Sequence, residues 1–146
     1  MIVLAIESST ITASCALIDD EKLIGEYTQS HKKTHSEKLM PLIEKLLQDT
    51  EIEIKDVDII AISMGPGSYT GLRIGAAIGK SLAHACNIPV VGVPTIAALA
   101  FNTFNTKGYI VPILDARGGR VYSGIYKWEA EKFIVVEEQF ASDIDK

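Results

Sequence analysis

Glycines 65, 67 and 71 punctuate the string Met64-Gly65-Pro66-Gly67-Ser68-Tyr69-Thr70-Gly71-Leu72-Arg73-Ile74-Gly75, which joins the apolar run Ile59 to Ser63 to a stretch rich in small residues. Glycines ahead of a helix N-terminus leave backbone amides free to hold an anion, so phosphate binding is the first chemistry to test. The spacing refuses it. A Walker loop needs Lys and then Ser or Thr after its last glycine, and Gly71 is followed by Leu72 and Arg73. The dinucleotide fingerprint places two residues between its second and third glycines, whereas three lie between Gly67 and Gly71. A nucleophile elbow around Ser68 would need glycine where Pro66 and Thr70 stand. What these mechanics leave is a shaped strand-to-helix turn, with Pro66 fixing one dihedral and a packing role for the glycines.

The other reactive side chains form no constellation. His31 and His35 are spaced to share a helix face as zinc ligands, but His31 precedes the expected cap at Thr34, so only His35 is helical and no metal site results. His84, late in a helix, is placed where the helix dipole favours it. Cys15 and Cys86 each lie among apolar neighbours and read as reduced core thiols. No Cys-His or Ser-His-Asp spacing supports nucleophilic catalysis.

The elements that must carry these residues follow from periodicity. Ile2 to Ile6, Ala13 to Ile18 and Leu23 to Thr28 read as three consecutive strands separated by polar turns. Thr34 and Glu37 form a capping box, followed at helical spacing by Leu39, Met40, Ile43, Leu46 and Leu47, with Pro41 expected to kink the helix or delay its regular part. A strand from Ile59 to Ser63, a helix from about Leu72 to Cys86, a strand from Pro89 to Val93 and a helix from Thr95 to Phe104 complete the series. This order predicts a mixed five-stranded sheet with helices on both faces. After Asn105 to Gly108 the pattern restarts with Ile110 to Leu114, Val121 to Trp128 and Phe133 to Val136. The expected division is therefore residues 1–106 as a first lobe and 107–146 as an incomplete second one, strands only, as in a shortened chain.

The glycine string, the opening Ile2-Val3-Leu4-Ala5-Ile6-Glu7-Ser8-Ser9-Thr10, the segment Thr34 to Pro41 and Val111-Pro112-Ile113-Leu114-Asp115-Ala116-Arg117 together resemble the TsaB (YeaZ) family across nearly the whole chain. The resemblance implies an α/β, actin-like ATPase (ribonuclease H-like) lobe and the start of a second. It implies a cytoplasmic, non-catalytic subunit that supports TsaD in threonylcarbamoyl transfer to adenosine 37 of tRNAs reading ANN codons. TsaD would be the direct partner, TsaE would join through the assembled complex, tRNA would be met only indirectly, and the chain alone would form a homodimer. An ATP-dependent kinase-like or glycoprotease-like enzyme of the same superfamily is the rival reading. In that superfamily an acidic residue ends the first strand of each lobe, where metal and ATP phosphates meet two hairpin turns; Glu7, Ser8, Ser9, Thr10 and Asp115 match those places, with Glu7 where the family usually has Asp. The expectation is a vestigial site and no tightly bound cofactor, ATP or ADP being left to the assembled complex.

The family pairs through two helices, here about Ser36 to Gln48 and Leu72 to Ala85, so the expected interface comprises Leu39, Met40, Ile43, Leu47, Leu72, Arg73, Gly75, Ala76, Gly79 and Ala83. Gly71, Gly75 and Gly79 recur every four residues, and such a smooth ridge serves either a partner or the protein's own sheet. Composition fits an indirect role with nucleic acid. Acidic side chains outnumber basic ones 19 to 14, giving a net charge of −5, and no basic run tracks phosphates. No apolar run reaches the roughly 18 residues of a membrane span, and a soluble domain is expected.

Overall fold

The computed structural model describes residues 1–30 and 35–144. His31, Thr34 and the capping box built on Thr34 fall outside the described residues. Packing divides the chain into two units, Met1–Met64 with Ser68–Val93, and Gly65–Gly67 with Pro94–Lys146.

The first unit is a five-stranded sheet in the order β3-β2-β1-β4-β5. Strands β1 (Ile2–Glu7), β2 (Thr12–Asp19) and β3 (Lys22–Ser30) run antiparallel, and β4 (Ile59–Ser63) and β5 (Val90–Val93) add in parallel. Register explains where the core lies. Leu4 opposes Leu17 on one side and Ile60 on the other, and Ile6 opposes Cys15 and Ile62, so one face collects every fully buried apolar residue of these strands. Helix α1 (His35–Thr50) covers that face with Leu39, Ile43 and Leu46, and α2 (Tyr69–Cys86) with its glycines and Ala83. Helices α1 and α2 thus share one face of the sheet. Val3, Ala5, Ala16, Ile18, Ile59 and Ala61 on the opposite face are half-buried. Helix α1 runs through Pro41, and α2 begins at Tyr69, a turn earlier than its apolar pattern.

The second unit holds helix α3 (Thr95–Phe101) and strands β6 (Tyr109–Ile110), β7 (Ile113–Arg117), β8 (Arg120–Glu129) and β9 (Lys132–Asp143). Ile110 opposes Tyr126 and Ile113 opposes Ser123, one continuous register, so β6 and β7 are a single line interrupted at Val111 and at Pro112, which lacks an N–H. The antiparallel order β7, β8, β9 repeats that of β1, β2, β3. The lobe boundary falls at Pro94 instead of residue 106, and the unit is not made of strands alone. The reason is packing: Ile96 and Ala100 of α3 bury against Tyr126, and the Thr95 amide donates to the Gly65 carbonyl at 2.9 Å.

Candidate functional site

The glycine string is built as a cap and a seat. Ser68 is the N-cap of α2, its hydroxyl accepting from the Gly71 amide at 3.3 Å. The Gly65 carbonyl accepts from the Thr95 amide and, at 3.2 Å, from Gln139 Nε2, with Gly65 at φ +97° and a cis bond to Pro66. Positive φ is why glycine stands there. Pro66 and Gly67 are half-buried, and Ser68 and Thr70 are exposed.

Glycines 71, 75 and 79 and Ala83 form the buried face of α2. A Cβ on Gly75 would stand 2.2 Å from Ser8 Oγ, and one on Gly79 2.6 Å from Ile62 Cγ2. The ridge therefore belongs to the protein's own sheet, and Gly75, Gly79 and Ala83 are corrected as interface residues. Leu39 and Ile43 are 0% exposed and are corrected with them. Leu47 and Ala76 pack on the core while keeping some surface, Met40 and Leu72 are half-buried, and Arg73 is exposed. From Lys38 onward no large apolar residue of α1 is exposed, and most of the broad apolar arc, Leu39, Leu42, Ile43, Leu46 and Leu47, packs into the core, with Met40 half-buried. Sequence reasoning missed Tyr69: it is 71% exposed, and the Arg73 guanidinium lies 4.7 Å from its ring centre. Its spacing four residues ahead of Arg73 was the available signal.

The turn after β1 is filled from within. Glu7 Oε1 accepts from the Ser9 amide at 2.5 Å, the Ser8 hydroxyl donates to the Gly71 carbonyl at 2.9 Å, and the Ser68 amide donates to the Ser9 carbonyl at 2.5 Å. The Thr10 hydroxyl exchanges bonds of 3.3 and 3.4 Å with the Thr12 backbone. Asp115 lies in the other unit, where its Oδ1 accepts from the Arg117 amide at 2.7 Å.

Elsewhere, Lys45 pairs with Asp49 at 2.8 Å, and the Tyr27 hydroxyl donates to Asp49, tying α1 to β3. The Lys45 ammonium holds the Asp49 carboxyl below its usual range, and the bond to Asp49 pushes Tyr27 up. Burial pushes the Cys15 thiol up to about 11. Among the described residues no group of three or more His, Cys, Asp and Glu side chains could hold a metal ion, and no helix is long and apolar enough to cross a membrane.

The mixed sheet with its restarted meander defines the class. Ethanolamine utilization protein EutJ from Carboxydothermus hydrogenoformans shares this fold, with a TM-score of 0.57 at 14% identity over 98% of this chain and 52% of that one. The sequence model of the family described as "TsaD: tRNA N6-adenosine threonylcarbamoyltransferase" matches residues 22–143. The tRNA threonylcarbamoyladenosine biosynthesis protein TsaB of Bacillus subtilis is 41% identical over 129 residues, 88% of this chain and 56% of that protein. A structure titled YeaZ from Pseudomonas aeruginosa superposes with a TM-score of 0.87 at 28% identity, covering 96% of this chain and 66% of that one. The chain belongs to this threonylcarbamoyl-transfer family and, within it, to its TsaB (YeaZ) branch. It spans just over half the length of the Bacillus subtilis relative.

Proposed function

We propose that the chain serves in threonylcarbamoyladenosine formation on tRNA as a cytoplasmic, non-catalytic partner of TsaD, with TsaE joining through the assembled complex. The observation that carries this reading is the 41% identity to TsaB running through both units, 129 residues in all. The acidic balance, 19 against 14, supports a contact with tRNA made through a partner rather than directly. The helix surface that remains for a partner is Met40, Leu47, Leu72, Arg73 and Ala76, with Tyr69 added, and the same surface would serve self-association.

Native mass measurement of the chain mixed with TsaD tests the proposal, the expected result being a complex of defined stoichiometry. A second arm measures modified adenosine in a reaction reconstituted with and without the chain. No complex and no change in modification would sink the reading.

A further inference from the structure

The superfamily resemblance implies that ATP phosphates meet the turn after the first strand of each unit, and in each turn a backbone amide is already taken by the chain's own carboxylate. Phosphate is held in such turns by backbone amides. In the first unit the Ser9 amide is taken by the Glu7 carboxylate at 2.5 Å, the Ser8 amide faces Ser63 Oγ at 3.4 Å, and the Thr12 amide is bonded to Thr10 Oγ1 at 3.3 Å. Helix α2 closes the remaining space, since the site of a Gly75 Cβ is already within 2.2 Å of Ser8 Oγ and both Ser8 and Ser9 are at most 1% exposed. Ser9 Oγ is buried with no hydrogen-bond partner. In the second unit the Asp115 carboxylate takes the amide two residues on, Arg117, at 2.7 Å, just as Glu7 takes that of Ser9.

We infer that Glu7 and Asp115 are built-in anions: each occupies the amide at which a nucleotide phosphate would be seated in its unit, and repels one by its charge. The two turns keep the hydrogen-bond pattern of an anion site while supplying the anion from the chain. This holds whether or not the protein works with TsaD.

Amide-resolved NMR of the chain, titrated with magnesium and ADP and separately with inorganic pyrophosphate to millimolar concentration, tests it. The Ser9 and Arg117 resonances are expected to stay where they are. In Asp115→Ala the Arg117 amide should respond saturably to pyrophosphate, and Glu7→Ala should do the same for Ser9, whereas Glu7→Gln, which keeps an acceptor oxygen, should leave Ser9 silent. Asp115 is exposed, so its variant keeps the test alive if Glu7→Ala fails to fold. Saturable shifts of Ser9 or Arg117 in the unaltered chain would overturn the inference, as would a silent Arg117 in Asp115→Ala.

Discussion

Gly75 and Ser8 are in van der Waals lock: a methyl group on Gly75 would sit 2.2 Å from the Ser8 hydroxyl oxygen, which itself donates to the Gly71 carbonyl one helical turn away. Helix α2 comes close enough at Gly75 and Gly79 that an added Cβ would collide with Ser8 and Ile62. The approach is what the four-residue glycine spacing is for, and it fixes the β1–β2 turn against the helix.

Gly75→Ala should therefore destabilise the fold by roughly 1–3 kcal/mol through overpacking. Ser8→Ala alone should cost about 1 kcal/mol for the lost bond to Gly71. Combined, they should cost clearly less than the sum, because removing Oγ leaves the next Ser8 atom, Cβ, at a tolerable 3.4 Å. Urea midpoints of the four proteins decide it; strict additivity would mean that the two residues do not touch.

Cys15 should be silent toward thiol reagents in the native protein at pH 8. It is 1% exposed and its thiol is pushed to about 11 by burial, whereas Cys86 is partly exposed. The raised value also gives a pH dependence. The folded state holds the Cys15 proton where the unfolded chain releases it, so this contribution to stability is complete below pH 9.0 and declines as pH rises toward 11. Comparing urea midpoints of the parent and Cys15→Ala across that window checks the sign: the parent should lose more.

The sheet was legible in the sequence because its signals are local. Apolar runs of strand length and polar turns give the order of elements, and the residue types of β1, β2 and β4 need no tertiary information to read as strands. The glycine ridge was not legible in the same way. A smooth helix face has the same composition whether a sheet or a partner lies on it, and only Ser8 and Ile62 standing within 2.2 and 2.6 Å of the missing Cβ atoms tell which. The boundary at Pro94 was hidden for a similar reason: α3 has the composition of any short helix, and its allegiance rests on Tyr126, distant in sequence. The seating of Glu7 on the Ser9 amide was hidden because a carboxylate at a strand end has the same spelling whether it binds a metal or its own backbone.

Phe133 holds the aromatic cluster of the second unit, stacked on Tyr126 at 5.3 Å and set against Trp128 at 5.2 Å and Phe101 at 5.3 Å. Phe133→Ala should cost about 3 kcal/mol, the low end of such truncations because the ring is only half-buried. Trp128, now 9% exposed, should emit further to the red as its neighbour is lost. An unchanged emission maximum would remove Phe133 from the support of the indole.

The last prediction separates the two kinds of residue that one sequence pattern placed together. Tyr69 and Arg73 form an exposed aromatic–guanidinium pair on the first turns of α2, the residue types that dominate binding energy at interfaces. Tyr69→Ala and Arg73→Glu should each weaken capture by TsaD at least about fivefold, a loss of roughly 1 kcal/mol or more. Both are surface changes and should leave the thermal midpoint within a few degrees of the parent. Gly79→Leu should do the reverse, lowering the midpoint sharply because Ile62 Cγ2 already stands 2.6 Å from the first added atom, while whatever protein stays folded still binds. Binding by surface-immobilised TsaD and melting by circular dichroism read the two effects independently. If Tyr69→Ala and Arg73→Glu bind like the parent, the partner surface lies away from the start of α2, and the interface assigned to these helices is wrong.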